Sequence, residues 1–465
     1  MTFTRFRLYT LGSARPAGFR GEIRELWESD DETRFVILSL MGDGTTHLLV
    51  MARDAAGRFT AAGAPRMFAS LQAARDAVRR TLDGPLPALA DVGFAGMNLL
   101  SPVAPARRLH PYFRRLDLVP HSAPARRVVK EITPWMQSGD PHFIREFQTD
   151  GFDQRLWEIY LWACFREAGY TVAQLEHPDF LLSRGGHALF SVEATTSAPS
   201  RGGVLADHPN PQTVEEMTAF LRDYMPMKFG GALTAKLDKR LEGRGYWELP
   251  RTDGLPFLIA VADFHVPASR HEPGSMVYSQ SALPIYLYGV EYDADHDGSG
   301  TLQIGYRKRV LHTFKTKKIE AGFFDLPGAQ NVSAVLFSNA GTMSKFTRMG
   351  ALAGFSSPDF SYVRRGFAVD PDPNAMEGRR FAADVMGPDY REGWGDELQI
   401  FHNPRAARPF DPDLLPDATH HHWENDMIVS TQFPWTVLSS VTDNIHATDD
   451  LGADEAAFAA LLKQD

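Results

Sequence analysis

Three acids in the stretch 151–197 are the side chains of this chain best able to do chemistry together. Glu158 sits in an apolar helical run (FDQRLWEIYLWACF), and Asp179 follows Pro178 at the head of a strand-like run. Glu193 stands between Val192 and Ala194 in a second such run. A carboxylate in an apolar strand is destabilising unless something pairs with it, because a buried charge requires a partner or a metal. One divalent cation satisfies three convergent carboxylates at once. The residues therefore point to metal-assisted chemistry, provided that the fold brings them together.

A helix and a hairpin must do the positioning. By the i, i+3, i+4 rule Arg155, Glu158 and Trp162 share a helix face, so a surface ion pair between Arg155 and Glu158 is the plain alternative. Against it, Leu156, Trp157, Ile159, Tyr160, Leu161, Ala163 and Phe165 make the helix apolar nearly all round, as buried helices are. Gly185-Gly186 predicts a turn with the flanking runs paired antiparallel. With an even loop Ser183 opposes Ala188, Asp179 opposes Val192, and Glu193 faces the other side. An odd loop or a β-bulge sets Asp179 opposite Glu193 with both carboxylates on one face. A functional site requires the second arrangement.

The order of a helix Glu, a Pro-Asp at one strand and a Glu-x-x at the next resembles the PD-(D/E)xK nuclease superfamily, through Glu158, Pro178-Asp179 and Glu193-Ala194-Thr195. The resemblance covers a minor part of the chain. It implies a mixed α/β fold with a central restriction-endonuclease-like α/β core, in which Asp179 and Glu193 hold Mg²⁺ (or Mn²⁺) and Glu158 assists. Hard oxygen donors suit Mg²⁺, which keeps several of its waters. The ion supplies Lewis acidity and a hydroxide-like nucleophile for phosphodiester cleavage. The family's lysine belongs two positions after the second acid, where this chain has Thr195. A hydroxyl carries no positive charge to a phosphate. Some members look to carry the lysine on a neighbouring element, and ALTAKLDKR offers Lys236 and Lys239, with Lys228 further back. Lys236, between Leu233 and Leu237, is the expected substitute; a solvated helix face is the alternative. The expected function is that of a Mg-dependent endonuclease in bacterial nucleic-acid processing or phage defence. A catalytically inactive nucleic-acid-binding or scaffold protein that keeps the fold is the competing expectation.

Other motifs carry less. Asp293, Asp295, Asp297 and Gly298 resemble a calcium loop, but Ile304 stands where a bidentate Glu is needed, so a solvated hairpin turn is expected. His420, His421 and His422 are adjacent, and three adjacent histidines cannot all face one ion on regular structure; a loop with surface histidines is expected. Arg307, Lys308, Arg309, Lys315, Lys317 and Lys318, with Lys345 and Arg348 shortly after, form a basic concentration suited to phosphate contact. A plain charged edge strand is the alternative there. No GxxxxGK[ST], GxGxxG or GxSxG signature is present, which removes support for nucleotide hydrolases and α/β-hydrolases.

The chain of 465 residues predicts two or three domains. Residues 1–97 read as an α+β domain, with strands in RFRLYTLG, RFVILSLM and THLLVMAR and a helix over 68–82. Residues 98–140 read as a Pro/Arg-rich linker, 141–350 as the nuclease-like domain, and 351–465 as a loop-rich extension ending in a short acidic helix. The net charge of −10 supplies no global attraction for polyanions, so nucleic acid, DNA rather than RNA, would be met by local basic patches. A single cysteine, Cys164, excludes an intramolecular disulfide and fits a reducing cytoplasm. Neither a signal peptide nor a long apolar span is read, so no membrane contact is expected. A homodimer or a partner protein accords with the resemblance.

Overall fold

The computed structural model describes residues 1–13, 21–198, 200, 202–206, 209, 211–264, 279–431, 433 and 435–446. The chain forms two compact units, one of Met1–Gln137 with Phe346–Ser357, the other of Ser138–Lys345 with the chain from Pro358 onward.

The first unit holds α1 (Phe3–Tyr9), β1 (Glu22–Glu28), β2 (Arg34–Leu40), β3 (Thr46–Arg53), β4 (Phe59–Ala61), β5 (Arg66–Phe68), α2 (Leu71–Asp83), α3 (Pro111–Leu118) and α4 (Ala123–Ile132). Its antiparallel sheet runs β1-β2-β3-β4, with β5 also on β3. Strand alternation sends Val36, Leu38, Leu48 and Val50 against Ala74 and Val78 of α2. The intervening Phe35, Ile37, Leu49 and Met51 pack with Tyr9 and Phe59 on the other face. RFRLYTLG, expected as a strand, is helical: the Thr2 side chain accepts the Arg5 N–H and starts α1, and Phe6 and Tyr9 share its apolar stripe. The expected linker 98–140 instead carries α3 and α4, and all but its last residues belong to this unit. Arg127 there pairs with Glu32 and Glu131, whereas Arg107, Arg108, Arg114 and Arg115 are exposed.

The second unit begins with α5 (Phe143–Gln148), α6 (Phe152–Glu167), β6 (Thr171–Gln174), β7 (Phe180–Arg184) and β8 (His187–Ser197). Then come α7 (Val214–Ala219), a π turn over Phe220–Tyr224, α8 (Met225–Leu237), β9 (Phe257–Asp263) and α9 (Ser279–Tyr288). Two hairpins follow, β10 (Val290–His296) with β11 (Leu302–Lys308) and β12 (Leu311–Phe314) with β13 (Lys317–Glu320). β14 (Ala334–Phe337), α10 (Met343–Leu352), β15 (Phe360–Ala368), β16 (Arg379–Asp384), β17 (Gln399–His402), β18 (Thr419–Glu424), β19 (Met427–Thr431) and β20 (Val437–His446) complete the order.

Eight strands make one sheet in the order β19-β18-β17-β14-β9-β8-β7-β6. The β8/β9, β9/β14 and β17/β18 pairs are parallel and the rest antiparallel, so the fold is mixed α/β. β9 (FLIAVAD) is buried at every residue, as a strand covered on both faces must be. Register aligns Glu193, Ile259, Val335 and Phe401 across one face, over which Phe229 and Leu233 of α8 and Tyr286 of α9 pack. Val192, Leu258, Ala334 and His402 align on the other, where Phe165 of α6 meets Phe180 and Phe190.

Two expectations are corrected. The described part of 351–465 is not loop-rich, since β17–β19 extend the main sheet and β16-β15-β20 form a second one. Short strands such as THHHWE lack polar alternation because both their faces are covered, and this hides them. LPIYLYGVEY divides into the end of α9 and the start of β10, since a short apolar run does not distinguish helix from strand. The acidic helix expected at 454–464 lies outside the described residues. Among the described residues, no helix is long and apolar enough to cross a membrane.

Candidate active site

The hairpin of β7 and β8 resolves the register question by a bulge. Gly185 (φ 60°) and Gly186 (φ 85°) make a two-residue turn of the kind that requires left-handed backbone at both positions. Arg184 accordingly pairs with His187 and Ser183 with Ala188, as an even loop dictates. Leu182, however, pairs with Phe190, which leaves Leu189 as an extra residue on β8. From there Leu181 faces Ser191 and Phe180 faces Val192, so the preceding residue, Asp179, comes opposite Glu193. The two acids clamp one another through the backbone. Asp179 N–H donates to Glu193 Oε2 (3.2 Å), and Ala194 N–H donates to Asp179 Oδ2 (2.7 Å).

Lys236 arrives from α8. Leu233 and Leu237 of that helix are buried in the core, and Lys236 between them reaches Glu193, its Nζ donating to Oε1 at 2.6 Å. The Glu193 side chain is 2% exposed and that of Lys236 27%, so the lysine side chain is partly open to solvent while the glutamate is not. Lys239 is exposed, and Lys228 donates to the Ala198 carbonyl (2.5 Å) and Ser200 Oγ (2.7 Å) beyond the end of β8. Of the three lysines considered, Lys236 alone bonds a site acid.

Glu158 is brought in by α6, and the Arg155 pair is present too, but buried rather than on the surface. Arg155 Nη1 donates to both Glu158 oxygens at 3.0 Å while the same guanidinium also engages Glu146 and Asp140. Gln154 Nε2 bridges Glu158 Oε1 (3.0 Å) and the Ala194 carbonyl (3.4 Å). The Ala194 peptide thus joins the elements, its N–H on Asp179 and its C=O on Gln154.

The charges are out of balance. Burial, then the Asp179 charge, push the Glu158 carboxyl up to about 7 despite Arg155 and Gln154. Burial and the neighbouring Glu193 raise Asp179, and burial raises Glu193 against the pull of Lys236. Burial works against the Lys236 ammonium, yet Glu193 and Asp179 outweigh it and hold the group protonated. Such a cluster retains protons that a divalent cation would displace, and its donors are all carboxylate oxygens, the set that hard cations take.

Gln154 and a ring pair escape sequence reasoning. His177 Nδ1 and Tyr246 Oη lie 3.1 Å apart with their rings stacked, and burial, then Glu193 and Asp179, raise the Tyr246 phenol. His177 stands next to the Pro-Asp pair, but nothing in RGYWELP marks Tyr246.

The basic residues divide. Arg307 and Lys308 on β11, and Lys315, Lys317 and Lys318 at the β12–β13 hairpin, are exposed. Arg309 is engaged by Asp223 (2.6 Å) and by Glu291. Lys345 is completely buried between Glu392 (2.7 Å) and Glu397 (2.9 Å), and Arg348 is buried in the first unit, so neither belongs to a phosphate-contacting surface. Charge density along a chain does not disclose which cations have buried partners. The Asp293–Ile304 segment is a hairpin, as expected, with Asp297 accepting the Ser299 and Thr301 N–H groups at its turn. His420 and His421 are buried on β18, not on a surface loop. No family model, curated protein or solved structure matches this chain.

Proposed function

We propose that the chain is a metal-dependent phosphodiester hydrolase with a restriction-endonuclease-like core, acting on nucleic acid. The observation that carries this reading is the Leu189 bulge, which sets Asp179 opposite Glu193 and leaves Lys236 2.6 Å from the latter. Asp179 and Glu193, with Glu158, would hold Mg²⁺ or Mn²⁺. When bound, the ion supplies Lewis acidity to a phosphate and lowers the pKa of its water.

The chain's own residues do the rest. The Asp179 N–H and Lys236 orient the two oxygens of Glu193, while Arg155 and Gln154 fix Glu158. Lys236, partly exposed, has further N–H donors for an anionic phosphate oxygen or an attacking water, and so stands in for the lysine missing at Thr195. The β12–β13 hairpin packs through Phe314 and Ile319 on the core that α8 covers, and exposes Lys315, Lys317 and Lys318 to a polyanion. The competing reading, an inactive nucleic-acid-binding or scaffold protein, is favoured by Thr195 and by the double hydrogen bond that Arg155 already makes to Glu158.

The deciding experiment incubates plasmid, single-stranded DNA and RNA with Mg²⁺ or Mn²⁺ and either wild type or Asp179→Ala. Cleavage by wild type that is lost in the variant and on adding EDTA supports the hydrolase. No cleavage, together with no Mg²⁺-dependent thermal shift of wild type, refutes it and favours the binding protein.

A further inference from the structure

The far half of the main sheet carries a group of side chains that the carboxylate site does not use. His420 and His422 alternate on β18 and project to one face, whereas His421 projects to the other and stacks on Phe401 (4.4 Å, 11°). Register pairs Ile400 with His420 and Phe401 with His421, so His402 of β17 lies beside His422, and their rings stack 4.0 Å apart. Each of His402, His420 and His422 offers a ring nitrogen within 4.8 Å of the others. Their face is the one opposite Glu193, and the four strand spacings between β8 and β18 amount to roughly 19 Å. The two groups are separate.

The hydrogen bonds prepare these nitrogens for a cation. His420 Nε2 lies 3.0 Å from the Leu415 carbonyl, which can only accept, so Nε2 carries the proton and Nδ1 presents its lone pair inward. An outer N–H held by a backbone carbonyl is the partner that metal-ligating imidazoles usually have. His402 Nε2 lies 2.8 Å from that same Nδ1, so two lone-pair positions are bridged by a single proton. A tetrahedral ion with bonds of about 2.0–2.1 Å keeps its nitrogens about 3.3 Å apart, so replacing the proton requires an opening of about half an ångström. Among the described residues no carboxylate joins the group, which disfavours Mg²⁺ and Ca²⁺, whereas imidazole suits Zn²⁺, Ni²⁺ and Cu²⁺.

We propose that His402, His420 and His422 bind one Zn²⁺-type cation, tying β17 to β18 and leaving a fourth position to water or an exogenous ligand. Sequence adjacency misleads here, because the site takes alternate residues of one strand and its third ligand from the next. The three ring nitrogens are the only donors the proposal needs.

The test uses the untagged full-length chain, stripped with EDTA and titrated with Co²⁺ and then Zn²⁺, in the Asp179→Asn background so that the carboxylate site is silenced. One equivalent of Co²⁺ should give visible d–d bands that survive excess Mg²⁺ and are abolished by one equivalent of Zn²⁺. His422→Ala, at the half-buried ring, should lose the bands and at least tenfold in Zn²⁺ affinity. His421→Gln, on the same strand but the opposite face, should retain both. Circular dichroism establishes that each variant is folded, and His402→Gln repeats the test where His422→Ala is not. Absence of the bands in the parent, or equal Zn²⁺ binding by parent and His422→Ala, overturns the proposal and leaves the three rings as a hydrogen-bonded packing group.

Discussion

Replacing Asp179 by Asn should stabilise the metal-free protein, and the size of the effect should depend on pH. The amide oxygen can still accept the Ala194 N–H, so the bond at 2.7 Å survives while a buried negative charge beside Glu193 disappears. Two like charges 4–8 Å apart repel by about 2–4 kcal/mol at an effective dielectric of 20. Lys236 and partial protonation offset part of this, leaving a net gain of about 1–3 kcal/mol. An acid whose pKa is raised by folding contributes stability that is present below its unfolded value and lost as pH rises through the folded one. Wild type should therefore weaken from acid toward alkaline pH in EDTA, and Asp179→Asn should weaken less. Thermal melts followed by circular dichroism should give Tm values that converge as the pH falls below the unfolded value of 3.8, where the wild-type carboxyl is protonated in both states. At about pH 8.5 the variant should melt about 2–6 °C higher. Added Mg²⁺ should raise the wild-type Tm and leave the variant's unchanged. A variant that melts below wild type in EDTA at about pH 8.5 would refute the electrostatic argument, because it would mean that the carboxylate is satisfied as it stands.

Lys236→Ala removes the ammonium from Glu193, and single-turnover cleavage should slow by about 10²-fold or more, as for other groups that stabilise transition-state charge; Lys236→Arg should recover part of the rate. Lys317→Glu combined with Lys318→Glu should weaken nucleic-acid binding and flatten the slope of log K against log salt by about one or two ions released, measured by fluorescence anisotropy. Lys345→Met takes the ammonium from Glu392 and Glu397, with which Arg364 also pairs, and should cost about 3–5 kcal/mol in a urea melt. An unchanged midpoint there would mean that the buried network is dispensable.

The sequence alone determined those features that depend on local pattern. The all-round apolar character of FDQRLWEIYLWACF placed α6 in the interior, and the continuous apolar run around FLIAVAD marked a strand covered on both faces. An acid amid the residues of β8 marked Glu193, since so unfavourable a position demands a partner. Leu233 and Leu237 made Lys236 the lysine whose stem could turn inward. What remained was decided in three dimensions. Whether Asp179 meets Glu193 depends on where one extra residue, Leu189, is absorbed, and the energies that place a bulge lie in the packing of both faces rather than in the hairpin's own residues. Whether a cation is exposed depends on partners far along the chain, so Lys317 and the buried Lys345 looked alike until Glu392 and Glu397 were in place. Period-two alternation hid the helical character of α1, which its Thr2 cap resolves, and a run of three histidines concealed that His402, eighteen positions upstream of His420, faces two of them from the next strand. Local periodicity reports which face a residue occupies; only the pairing of strands reports what lies beside it.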